Sequence, residues 1–88
     1  MNHLDGHILS GEYDENGREF SIQQVKSFST LSVLTENQLN QLHNYLQLHQ
    51  DDLEGQIVTL YDQMPVRLSK EEVQLLISDL EFIKDFFE

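Results

Sequence analysis

The 88-residue chain contains no cysteine, no tryptophan and a single proline. The absence of cysteine excludes disulfides, thiolate metal sites and cysteine nucleophiles. Basic residues are also scarce, because five Lys and Arg stand against 16 Asp and Glu and the net charge is −11. Nucleic acids and anionic membranes both attract basic surfaces, so the composition argues against direct binding of either one.

Long apolar runs are missing as well. No run approaches the roughly 20 residues that a membrane helix needs, and the N-terminus has no basic start followed by an apolar segment. We therefore expect a cytoplasmic protein that does not bind membranes. A single domain of this size buries only about 60–65% of its unfolded surface, which leaves a small net stability and favours a stabilising partner.

The N-terminal part of the chain predicts a β-hairpin over residues 7–22. The dipeptide Asn16-Gly17 lies between its two halves, and Asn-Gly is typical of the tight turns that join hairpin strands. Phe20 and Ile22 alternate with polar neighbours, as expected of a strand with one buried face. An isolated hairpin is only marginally stable, so we expect this one to pack on helices.

The middle of the chain predicts one long helix over residues 36–63. Thr35 and Gln38 fit a capping box at its start, and Pro65 follows its end. One apolar stripe keeps the same helical phase through the whole segment, so we expect it to form a core or dimer surface. The residues of this stripe that we single out are Leu39, Leu42, Leu46, His49 and Leu53.

Two segments leave alternatives open. Residues 56–61 are rich in Ile, Val and Thr, so a helix that ends near Gln50 and a strand over Gln56–Tyr61 could replace the second half of the long helix. Between Gln23 and Leu34 an apolar residue recurs at every third position, which suits a short helix. The Ser and Thr residues between them weaken that interpretation.

Residues 69–87 predict a C-terminal helix, because Ser69 and Glu72 form a second capping box. The short connection from Pro65 to Leu68 predicts that this helix packs antiparallel to the long one. The expected fold is therefore α+β and mostly helical, with an N-terminal β-hairpin packed on a long antiparallel helical hairpin.

The C-terminal helix carries apolar residues on two opposite faces. One face suits the core, and the other holds Leu75, Phe82 and Phe86, with Asp79 at its edge and Glu72 nearby. Either the N-terminal segment or another chain must cover this second face. We expect these five residues to form a partner-binding surface.

Signals for catalysis and metal binding are weak. His43 and His49 are six residues apart, so they diverge by about 120° around a helix. The segment that begins at Glu12 has the Asp and Asn spacing of half a calcium loop, but Gln23 stands where such a loop needs a bidentate carboxylate. We expect no cofactor, no metal and no enzymatic activity, and we rank a hydrolase or metal protein last.

Negative charge is concentrated near the second apolar face. Residues 51–88 hold ten carboxylates against three Lys and Arg, which suits a basic protein partner. The expected function is a non-enzymatic protein–protein interaction module, regulatory or accessory, that forms a homodimer. The alternative is an acidic inhibitor that imitates nucleic-acid phosphates and occupies the basic cleft of a nucleic-acid-binding protein. Solubility alone is the simplest explanation of the charge.

Overall fold

The computed structural model describes residues 3–59 and 65–88, which form a small α+β fold. In chain order the elements are β1 (His3–Asp5), β2 (Leu9–Asp14), β3 (Glu19–Val25), β4 (Phe28–Thr35), α1 (Glu36–Leu48), β5 (Gln56–Thr59), β6 (Pro65–Leu68) and α2 (Lys70–Phe86). Strands β1 to β4 form one antiparallel sheet in chain order, and β5 and β6 form a separate two-stranded sheet.

The hairpin expected over residues 7–22 is confirmed as the pair β2–β3, although its turn differs from the expected one. The two strands pair from Leu9 opposite Val25 to Asp14 opposite Glu19. Arg18, with φ of 51°, is the turn residue whose backbone adopts the left-handed conformation. The glycine of the Asn-Gly pair does not adopt it. The hairpin therefore closes through a four-residue turn over residues 15–18.

The segment from Gln23 to Leu34, which suited a short helix, contains the end of β3 and most of β4. Strand β4 pairs antiparallel with β3, with one irregularity of register between Ile22 and Gln24. Its buried side chains alternate, at Thr30, Ser32 and Leu34. The three-residue spacing of apolar positions was misleading, because it mixes buried and exposed positions of a strand whose true period is two.

The long helix expected over residues 36–63 is wrong, and so is the mostly helical fold built on a long helical hairpin. Helix α1 ends at Leu48, after which two turns follow: the Asp52 N–H donates to the His49 carbonyl, and the Gly55 N–H donates to the Asp52 carbonyl. Gly55 has a φ of 75°, which a helix cannot accommodate. A Cβ atom at Gly55 would also collide with the Leu68 carbonyl oxygen.

The alternative that placed a strand over Gln56–Tyr61 is confirmed for its first four residues. Strand β5 pairs with β6 from Gln56 opposite Leu68 to Thr59 opposite Pro65. The rest of this prediction, and the end of the expected long helix, lie outside the described residues. The β-branched residues of β5 were the better guide to this segment than its helical phase.

Both predicted capping boxes are confirmed, and the C-terminal helix is present as α2. The Thr35 hydroxyl accepts from the Gln38 N–H at the start of α1, and the Ser69 hydroxyl does the same for Glu72 at the start of α2. Each Gln or Glu side chain in turn accepts from the N–H of the capping residue. Such reciprocal bonds satisfy helix N–H groups that would otherwise have no partner.

A single hydrophobic core joins the sheet, the β5–β6 pair and both helices. Phe20, Leu34, Leu39, Leu46 and Leu80 are completely buried within it. The inner face of the four-stranded sheet supports α1 through β4 and α2 through β2. The side of α2 that points away from the sheet is left on the surface.

Candidate functional site

Helix α2 has one buried side and one exposed side. Val73, Leu76, Ile77, Leu80 and Ile83 are the apolar residues buried on the inner side. The opposite side presents residues spaced three or four apart, which places them in one stripe. We call this stripe the outer face of α2, and it consists of Glu71, Leu75, Ser78, Phe82 and Asp85.

Two apolar side chains lie on this outer face. Phe82 is 58% exposed and Leu75 is 38% exposed. They are seven residues apart, which separates them by about 10 Å along the helix axis, with Ser78 between them. Ser78, Phe82 and Asp85 line an open surface depression together with Glu81. The exposed Phe82 ring therefore shares this depression with the carboxylates of Glu81 and Asp85.

Phe86, which we expected on the same surface, packs inward. Its ring is stacked on that of Tyr13 with centroids 5.7 Å apart, and on that of Phe20 at 6.2 Å. Tyr13 also contacts Phe87 edge-to-face at 4.9 Å. These four rings form an aromatic cluster that fixes the C-terminal end of α2 to the β2–β3 hairpin.

Asp79, also expected on the partner surface, is completely buried. Its Oδ1 accepts from the His7 N–H at 2.9 Å. Its Oδ2 accepts from the N–H groups of Ile8 at 2.6 Å and Leu9 at 3.0 Å. A Cβ atom at Gly6 would lie 2.5 Å from the carboxylate carbon, so this position requires glycine. Asp79 thus holds the β1–β2 connection against α2.

Glu72 forms contacts within the chain as well. Its carboxylate accepts from the Ser69 N–H at 2.9 Å and lies 3.0 Å from the Lys26 ammonium group. Lys26 also donates to the Arg67 carbonyl at 3.1 Å. The Ser69 N–H bond, followed by the Lys26 contact, lowers the pKa of Glu72 below its usual value of 4.5.

We expect Glu72→Gln to reduce the change in stability that occurs as the pH falls below 4.5. A carboxyl whose pKa is lowered on folding stabilises the fold above pH 4.5, and this contribution is lost as the pH falls below that value. The variant should therefore melt at a lower temperature than the wild type at pH 7. The gap between the two melting temperatures should close as the pH falls below 4.5. Glu71→Gln, one residue earlier, is the matched control, and a gap that is constant with pH would contradict the assignment.

The stripe expected along the long helix is divided between core and surface. Leu39 and Leu46 are completely buried and Leu42 is partly buried, so all three belong to the chain's own core. His49 packs against Tyr45, with 4.6 Å between ring centroids, and its Nδ1 lies 3.3 Å from the Asp52 carboxylate. Leu53, in the turn after α1, is 85% exposed.

Other polar residues that the sequence singled out also form contacts within the chain. The His43 Nε2 lies 3.3 Å from the Glu81 carboxylate, which links α1 to α2. Asp14, from the half calcium loop, accepts the Asn16 N–H in a turn. In the part of the chain that the structure describes, His, Asp and Glu residues form no group of three or more that could hold a metal ion. Neither described helix is long and apolar enough to cross a membrane.

The comparisons with known proteins give no relative. No protein-family model, curated protein or solved structure matches this chain. The outer face of α2, with its exposed Phe82, is therefore the candidate functional site.

Proposed function

We propose that this chain is a non-enzymatic protein–protein interaction module with a regulatory or accessory role, and that it binds its partner through the outer face of α2. The observation that carries the proposal is the exposure of Phe82 in a chain that buries most of its other large apolar residues. Aromatic side chains, Phe among them, are enriched at protein–protein interfaces relative to the rest of the protein surface. We propose a cytoplasmic location on composition alone.

The two apolar side chains of the outer face supply only part of the free energy that a stable complex needs. Complete burial of a Phe or Leu side chain contributes about 1.5–3 kcal/mol, and Phe82 and Leu75 have already used part of this within the fold. Covering what remains would contribute about 2 kcal/mol in total. Micromolar affinity needs about 8 kcal/mol. The partner must therefore supply additional contacts around these two side chains.

Charge supports a basic partner. Glu71 and Asp85 belong to the outer face, and Glu81 lines the same depression as Phe82. Two of the five basic residues already form contacts within the chain: Lys26 pairs with Glu72, while Arg18 pairs with Glu36. An acidic surface accelerates association with a positively charged protein.

The alternative function is an acidic inhibitor of a nucleic-acid-binding protein. Exposed carboxylates recur at Glu81 and Asp85 on α2 and at Glu88 beyond its end, and this row favours the alternative because it could occupy a cleft that normally binds phosphates. Under this alternative, the captured partner should bind DNA or RNA and should release it when this chain is added. Under the first proposal, nucleic acid and this chain should bind the partner independently.

Capture from a cell extract tests the proposed surface. The immobilised wild type is compared with Phe82→Ser and with Leu48→Ser, which removes an even more exposed apolar side chain at the end of α1. We expect the wild type and Leu48→Ser to retain the same basic proteins, and high salt to release them because it screens exposed charges. Phe82→Ser should lose them. Retention of the same proteins by Phe82→Ser would contradict the proposal.

A further inference from the structure

The surface depression on α2 combines one aromatic ring with two carboxylates. Ser78, Glu81, Phe82 and Asp85 line it, and they lie within about two turns of the helix. Its volume of 310 Å³ is at the lower end of the range for small-molecule pockets, which begins at about 300 Å³. Because the depression is open to solvent, a small free molecule would stay mostly exposed there. One long side chain of a bound protein would instead be covered by the rest of the complex.

The two carboxylates of the depression have no basic partner within the chain. Glu81 and Asp85 are four residues apart on one helix, and like charges at this spacing repel each other. Among the residues that the structure describes, no Lys or Arg lies within ion-pair distance of either carboxylate. A positively charged group in the depression would relieve this repulsion. The depression therefore suits a cation.

One of these carboxylates is held in position by α1. The His43 Nε2 lies 3.3 Å from the Glu81 Oε2, and His43 itself is buried. The Glu81 side chain is still 56% exposed, so a partner can reach it. A carboxylate that already has a fixed position loses less conformational entropy when it binds a cation. This contact makes Glu81 a better acceptor than a freely moving surface carboxylate.

The ring of Phe82 favours one of the two basic side chains over the other. The guanidinium group of arginine is planar, stacks on aromatic rings and donates paired hydrogen bonds to carboxylates. The ammonium group of lysine is more strongly hydrated, so it gains less when it leaves water for an exposed ring. Phe82 and Asp85 are three residues apart, which makes them neighbours on the helix surface. A planar cation can therefore contact the ring and a carboxylate at the same time.

We infer that the depression binds an arginine side chain of the partner, with its guanidinium group against the Phe82 ring and hydrogen-bonded to the carboxylates of Asp85 and Glu81. This inference rests on the proposed function, because it assigns the chemistry that the outer face of α2 recognises. The two can still fail separately. Capture by Phe82→Ser tests whether the surface is used, whereas a comparison of arginine with lysine tests what the depression binds.

Titration of the ¹⁵N-labelled chain with blocked tetra-arginine and tetra-lysine peptides tests the inference by NMR. The two peptides have the same charge, so general attraction to a chain of net charge −11 acts on both. The arginine peptide should have a dissociation constant about two- to fivefold lower, as expected of a cation–π contact at an exposed site. Its largest amide shifts should occur at Ser78, Phe82 and Asp85. Equal affinities, or largest shifts elsewhere in the chain, would overturn the inference.

Three variants separate the contribution of the ring from that of the charge. Phe82→Leu keeps an apolar side chain but removes the ring, so it should abolish the preference for the arginine peptide. Asp85→Asn should weaken binding of the arginine peptide at least about twofold. Glu71→Gln removes the same charge from the other end of the outer face and should have a smaller effect. A preference that persists in Phe82→Leu, or equal effects of Asp85→Asn and Glu71→Gln, would contradict binding of arginine in the depression.

Discussion

Replacement of Asp79 by Asn is expected to destabilise the fold by about 3 kcal/mol, because hydrogen bonds to a buried charged group contribute more than neutral ones. The carboxylate accepts hydrogen bonds from the backbone N–H groups of His7, Ile8 and Leu9, and it is completely buried. Asparagine keeps one acceptor oxygen but turns an NH₂ group toward N–H donors. At least one donor would then lose its partner, and the buried donors would face each other.

Urea denaturation measures this loss, and Asp85→Asn is the matched control. Asp85 lies on the same helix but is exposed, so its substitution should change the free energy of unfolding by less than about 0.5 kcal/mol. A domain of this length has a total stability of about 4–13 kcal/mol, so the loss expected for Asp79→Asn is a large fraction. The amides of residues 7–9 should also exchange faster in that variant. Equal stability of the two variants would show that the hydrogen bonds to Asp79 contribute little.

The second large effect is expected at Phe86 and not at Phe82. Phe86→Ala should destabilise the fold by about 3 kcal/mol, because it removes a ring stacked on Tyr13 and Phe20 and leaves a cavity between the sheet and α2. Phe82→Ala removes a mostly exposed ring and should change stability by less than about 0.5 kcal/mol. The two variants delete the same atoms from positions four residues apart.

Thermal or urea unfolding of both variants distinguishes the two positions. If both lost stability equally, Phe82 would also be a packing residue and would not be available to a partner. If Phe86→Ala were as stable as the wild type, the aromatic cluster would not hold α2 to the hairpin. The expected outcome separates a residue of the fold from a residue of the contact surface.

The elements that the sequence could predict depend on neighbouring residues. Both helix starts follow from capping boxes, in which Thr35 or Ser69 interacts with a residue three positions later. The end of α1 could not be predicted in this way. Gly55 approaches the Leu68 carbonyl, a contact between residues distant in sequence, and this contact favours the turn and the strand that follows it. Tertiary contacts of this kind override the helical phase of a single segment.

The candidate site shows a related limit. On a helical wheel Phe86 lies only about 40° from Phe82, so the sequence grouped the two as one surface. Tyr13 and Phe20, from the hairpin, extend the covered arc of α2 just far enough to include Phe86. Asp79 was misjudged for the same reason, because the backbone donors that bury it come from the β1–β2 connection. A helical wheel gives the direction of each side chain, but it does not show how much of the helix surface a neighbouring sheet covers.

Mapping the bound partner on this chain by NMR tests the central claim most directly. The partner captured by the wild type is added to the ¹⁵N-labelled chain, and shifts of the backbone amides are recorded. We expect the largest changes at Leu75, Ser78 and Phe82, with little change across the β5–β6 pair. Changes confined to β5 and β6, with the signals of α2 unaltered, would contradict the claim that the outer face of α2 is the contact surface.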